Sequence, residues 1–153
     1  MTSRDFIRNV LIGEIEDIVN RHHYLSFGLI TQGIELLGAI IEDPQKEFSE
    51  RNLSEGRFKK ALKRLFPSEY HIHKDLLYTE LRCGMSHVLR PRNNIVLAQR
   101  QYGHENLSQM DDKLLLVAED FFDDFKDACN QVIGRLDSGC TKERAGPFLT
   151  LIP

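Results

Sequence analysis

The sequence predicts a mainly α-helical fold, a bundle of about five helices, and three observations carry the prediction. Five segments place apolar residues at helical spacing or nearly all round a helix. Capping and stop signals stand at their ends: Thr2 with Asp5, Ser54, Glu42-Asp43-Pro44, Pro67 and Arg90-Pro91. The composition, 41% apolar and 28% charged, is that of a globular chain, so a packed core is expected and disorder is not. A length of 153 residues suits one domain. That domain is expected to span residues 1–137, with a C-terminal tail, 138–153, that is docked or flexible.

The first helix should start after Thr2 or Ser3, where Thr2 and Asp5 have capping-box spacing, and run to about Asn20. Ile7, Leu11, Ile15 and Ile18 form its apolar stripe. Residues 24–41 are apolar nearly all round, as in a central helix, with Gly28, Gly33 and Gly38 letting neighbouring backbones come close. Ser26, Thr31, Gln32 and Glu35 interrupt this stretch at a length only marginal for a membrane span, so it reads as a buried helix. The third helix, 54–66, with Ser54 as N-cap, buries Phe58, Ala61, Leu62 and Leu65. Its outer face carries Arg57, Lys59, Lys60, Lys63 and Arg64, a cationic cluster that reads as a solvated face in preference to a phosphate track.

A fourth helix is expected from about 73 to 89, with Leu77, Leu81, Met85 and Val88 on its buried stripe. Beyond it lie two short apolar runs, 94–100 and Lys113–Val117. They suit a small β-hairpin between the last two helices, although the second run also fits the opening of the last helix. The last helix should bury Phe121, Phe122, Phe125, Ala128, Cys129, Val132, Ile133 and Leu136, with Glu119, Asp120, Asp123 and Asp124 near its positive end.

Several function classes are disfavoured. A net charge of -3 argues against a uniformly basic nucleic-acid binder, while leaving room for a local basic patch. Cys83, Cys129 and Cys140 have no CxxC spacing, so neither a disulfide framework nor a zinc ribbon is expected, and a reducing cytoplasm fits. The histidines are dispersed, and His71-x-His73 lacks the context of a metal site, so no metal and no cofactor are expected. No apolar export signal follows the N-terminal Met-Thr-Ser-Arg, and no membrane association is expected.

The chemically suggestive segment is Arg82-Cys-Gly-Met-Ser-His87. A guanidinium can hold a phosphodiester bidentately, and an imidazole can transfer protons near neutral pH. Five residues of α-helix turn the chain by about 500°, so Arg82 and His87 project about 140° apart. Arginine's length, a bend near Gly84 or a second subunit would be needed to bring them together.

The stretch Tyr78-Thr-Glu-Leu-Arg82-Cys-Gly-Met-Ser-His87-Val-Leu-Arg-Pro91, late in a helical domain, resembles the Arg-x4-6-His signature of the HEPN (higher eukaryotes and prokaryotes nucleotide-binding) superfamily. The resemblance implies a four- to five-helix bundle. Many members are metal-independent ribonucleases of toxin, phage-defence or RNA-processing systems. It further implies a homodimer whose two motifs face one cleft, with Arg82 on the scissile phosphate, His87 in proton transfer, and Ser86, Arg90 and Arg92 as substrate contacts. Cys83 stands where the family commonly has Asn, Asp or His. That departure keeps open a second reading, a catalytically silent module that binds a partner protein or a nucleotide.

Overall fold

Thr2 opens the first helix through a complete capping box. Its hydroxyl accepts from the Asp5 backbone N–H at 3.1 Å, and its own N–H donates to Asp5 Oδ2 at 3.1 Å. Helix α1 (3–21) then runs through a wide π-helical stretch, Ile7–Glu14, between two α-helical ends. Its buried apolar residues are Ile7, Leu11, Ile15 and Val19. The stripe therefore continues through Val19 and not through Ile18. Four residues overshoot an α-helical turn by about 40°, and the wider π turns hold more residues each, which keeps every fourth side chain in line.

The computed structural model describes residues 1–42 and 46–143. Within them the remaining helices are α2 (His23–Ile40), α3 (Ser54–Leu65), α4 (74–88) and α5 (Ala118–Asp137), with a short 3-10 turn, Ser68–His73, leading into α4. The molecule is thus mainly helical, with five helices and a small sheet before the last. The central element is α2, which packs against α1, α3, α4 and α5. Its Ile30, Ile34 and Leu37 are fully buried beside Phe58, Leu62, Leu77 and Phe125. Rings of Phe27 and Tyr70 both stack on Phe121, with centroids 6.2 and 6.0 Å away.

The glycines of α2 allow this packing. A Cβ at Gly38 would overlap the Arg57 carbonyl oxygen, and one at Gly33 would overlap the Phe125 ring. None of the helices among the described residues is long and apolar enough to cross a membrane.

Arg57 departs from its expected place on the outer face of α3. It is 4% exposed and lies between α3 and the chain after α2. Its Nε donates to Glu42 Oε1 at 2.7 Å, Nη1 to the Phe48 carbonyl at 2.7 Å and Nη2 to the Glu47 carbonyl at 2.6 Å. Lys59 is also engaged, by Glu55 and Asp75. Of the expected cluster, Lys63 and Arg64 are exposed and Lys60 is partly buried.

The two apolar runs do form strands, but not a hairpin with one another. Strands β1 (Ile95–Ala98), β2 (Gln109–Met110) and β3 (Lys113–Val117) lie in the order β1-β3-β2. The first pairs with the third in parallel, Ile95 opposite Leu114 through Ala98 opposite Val117. The hairpin is instead β2–β3, turned by Asp111 and Asp112 at φ 50 and 60, the left-handed geometry of a tight two-residue connection. A parallel partner needs a long crossover, supplied by residues 99–112.

Tyr70 pins this crossover to the core. Its hydroxyl donates to Asp124 at 2.6 Å and accepts from Asn106, whose carbonyl oxygen takes the Val117 N–H. Burial, reinforced by the bond to Asp124, holds the phenol above its ordinary pKa and keeps it a donor.

After α5, Gly139 turns the chain, Thr141 N–H donates to the Arg135 carbonyl, and Glu143 accepts from the Arg4 N–H at 3.3 Å. The expectation for the rest of the tail, 144–153, falls outside the described residues.

Candidate functional site

The Arg82–His87 segment lies on α4, whose π-helical stretch Leu77–Arg82 gives way to regular α-helix, Cys83–Val88. The helix ends at Leu89, in the left-handed region at φ 55, and Arg92 N–H returns to the Glu80 carbonyl at 2.8 Å. Gly84 permits that return, because a Cβ there would overlap the Arg90 carbonyl oxygen. The helical backbone is continuous from Arg82 through Gly84 to Val88.

Helix α4 runs antiparallel to α2, with Tyr24 against Leu89, Gly28 against Met85 and Glu35 against Arg82. Arg82 and Ser86, one turn apart, share the α2-facing edge. Arg82 Nη2 meets Glu35 Oε2 at 2.7 Å, and its guanidinium carbon lies 5.7 Å from the centroid of the Tyr78 ring, close enough for a cation–π contact. Its Nε is buried without a hydrogen-bond partner. Ser86 accepts from the Gln32 amide.

Glu35 also receives the Ser54 hydroxyl at 2.8 Å, and Ser54 accepts from the Tyr78 hydroxyl at 3.3 Å. Ser54 is therefore a bridge between three helices and not the N-cap of α3, whose first helical residue it is. Tyr78, Ser54, Glu35 and Arg82 form one polar network under the motif.

His87 is exposed, one residue beyond Ser86 and off the α2-facing edge. Val88, expected on the buried stripe, is 60% exposed, and Leu89 is 66% exposed. The buried spacing of α4 is Leu77, Leu81, Met85, again every fourth residue through the π turn, and its continuation falls on Leu89, where the helix stops. Arg90 and Arg92 are exposed and, with Glu80, Val88 and Asn94, line a cleft of about 370 Å³.

The structure thus brings Arg82 and Ser86 together along α2 and leaves His87, Arg90 and Arg92 at the surface. Cys83–Val88 is regular α-helix, so helix geometry still sets Arg82 and His87 about 140° apart, and arginine's length or a second chain would be needed to let the two act on one group.

Glu35, Tyr78 and Ser54 were not singled out as site residues. The signal for Glu35 was present, since a carboxylate inside a nearly all-apolar helix needs a partner charge. Cys83 is partly buried, and Cys129 is buried in the core, where desolvation pushes its thiol pKa up. Among the described residues no group of three or more His, Cys, Asp or Glu side chains is arranged to hold a metal ion.

Fold and site together define a mainly helical protein with an Arg-x4-His segment at the end of its fourth helix. Comparison with family models, characterised proteins and solved structures finds no match to the chain.

Proposed function

We propose that the chain is a HEPN-like protein acting as a homodimer, a metal-independent endoribonuclease that works through Arg82 and His87 in the cytoplasm. The observation that carries the reading is an exposed apolar strip beside His87. Leu25 and Leu29 of α2 are 50% and 40% exposed, and Val88 and Leu89 at the end of α4 are 60% and 66% exposed, and exposed apolar side chains of this kind suit a protein partner. A second copy seated there would set two His87 imidazoles and two Arg82 guanidiniums about one cleft.

The chemistry follows from the groups. The ribose 2′-oxygen attacks phosphorus, giving a 2′,3′-cyclic phosphate, and the bond to the 5′-oxygen breaks. One His87 takes the 2′-hydroxyl proton, and the partner subunit's His87 gives a proton to the leaving 5′-oxygen. Arg82 neutralises the phosphate, a charge interaction strengthened where water is excluded. Ser86, Arg90 and Arg92 hold flanking phosphates. Purified protein is expected to cleave mixed RNA in EDTA, leaving cyclic phosphate and 5′-hydroxyl ends; intact RNA would refute the activity.

The Glu35–Arg82 pair favours the second reading, a silent module that binds a partner protein or nucleotide, because Glu35 already balances the charge that a phosphate would need. Glu35→Gln separates the two. If the pair is a resting state, removing one negative charge near the phosphate tightens RNA binding by roughly fivefold, on the order of 1 kcal/mol. If the pair is only structural, the variant loses thermal stability and RNA affinity does not rise, as thermal melts and filter binding will show.

A further inference from the structure

We infer that the hollow between the start of α2 and the sheet is a binding site for one nucleobase. The inference deepens the RNA-directed reading and rests on it for the idea that RNA supplies the base. The hollow measures about 230 Å³, below the roughly 300–1,000 Å³ of sites for drug-sized ligands, so it suits one ring system. Its floor is apolar and closed, with Phe27 at 1% exposure. Its rim is aromatic and open: Tyr24 is 47% and Tyr102 67% exposed. His23, Gln99 and His104 supply hydrogen-bonding edges.

No Asp, Glu, Lys or Arg side chain is among the lining residues, so the hollow favours a neutral planar group and leaves a phosphate outside. Exposed aromatic rings that stack a base, with polar groups to read its edge, are how proteins grip single-stranded RNA.

The walls are held at a fixed spacing. Glu119, at the start of α5, reaches both: Oε1 lies 3.2 Å from His23 Nε2, and Oε2 accepts the Arg100 N–H at 2.9 Å. Arg100 in turn donates to Asp120 at 2.8 Å and to Asp123 at 2.6 Å. The turn that carries Tyr102 is therefore tied to α5 at its base, and the site is preorganised. It also adjoins the motif. Tyr24 Oη donates to the Leu89 carbonyl at 2.8 Å, two residues beyond His87, so a base in the hollow would stand beside a phosphodiester at the end of α4.

The test measures binding without chemistry. His87→Ala protein is titrated calorimetrically with each of the four nucleoside 5′-monophosphates, a single-stranded RNA tetranucleotide and abasic ribose phosphate, and the titrations are repeated with Tyr102→Ala and Tyr102→Phe added. Base-containing ligands are expected to bind, with affinity lowered about tenfold or more by Tyr102→Ala and kept by Tyr102→Phe. Tyr102 is largely exposed, so an unchanged melting temperature will show that the fold is intact.

A tetranucleotide that binds tighter than any monophosphate identifies RNA as the source; equal binding identifies a free nucleotide. Equal affinity in the Tyr102→Ala protein, abasic ligand binding as well as nucleotide, or no binding at all would overturn the inference. Tyr102-dependent binding in a protein whose native form cleaves no RNA would keep the base site and remove the ribonuclease reading.

Discussion

Arg57→Ala is expected to destabilise the protein by about 3–5 kcal/mol, the cost of breaking a buried ion pair by removing its cation. Glu42 and Arg57 have side chains 3% and 5% exposed, so water cannot replace the lost guanidinium. The Phe48 and Glu47 carbonyls lose the guanidinium as a donor in the same step. Chemical denaturation will read the loss as a lower midpoint, and a thermal scan as a fall on the order of ten degrees. Replacing both partners, Arg57→Met with Glu42→Leu, should recover most of the stability, because an apolar pair carries no desolvation cost. A loss below about 1 kcal/mol in the single variant, the range of exposed ion pairs, would contradict the buried pair.

His87→Ala and Arg82→Ala are each expected to lower RNA cleavage by about a hundred- to ten-thousand-fold, the range of positioned proton transfer, with charge stabilisation of similar weight. The two differ in their effect on the fold. His87 is exposed and should cost stability less than about 0.5 kcal/mol. Arg82→Ala removes the guanidinium from Glu35 and from the Tyr78 ring, so it should also lower the melting temperature. Arg82→Lys separates charge from geometry: it keeps the cation and loses the planar fork, and a large fall in cleavage with this variant points to bidentate phosphate contact. Wild-type cleavage rates from either alanine variant would remove the residue from the mechanism.

Much of the fold was legible because helix stripes and stop signals are local. The α5 stripe from Phe121 to Leu136 is buried as its spacing indicates, and the Thr2–Asp5 box caps α1. The close approaches at Gly33 and Gly38 agree with a central α2. What escaped is non-local or depends on turn width. The π stretches in α1 and α4 shift the stripe from Ile18 to Val19 and end it before Val88, and no period of 3.6 reports a wider turn in advance. Parallel pairing of β1 with β3 depends on the path of the crossover, not on either strand's composition. Arg57 stood in a run of cations and looked solvated, but its place opposite Gly38 and Glu42 is set by how α2 and α3 meet. At the site, the divergence of Arg82 and His87 was computable from helix geometry alone. The occupation of Arg82 by Glu35 was not, since it joins residues on two helices.

An active cleft built from two chains is tested most directly by mixing wild-type protein with His87→Ala protein at constant total concentration after subunit exchange, then measuring RNA cleavage in EDTA. A cleft that uses His87 from both subunits predicts activity falling as the square of the wild-type fraction, to about a quarter at an equal mixture, because only dimers with two wild-type chains are active. A linear fall, to about half at the same point, would mean that each chain works alone and would contradict the account.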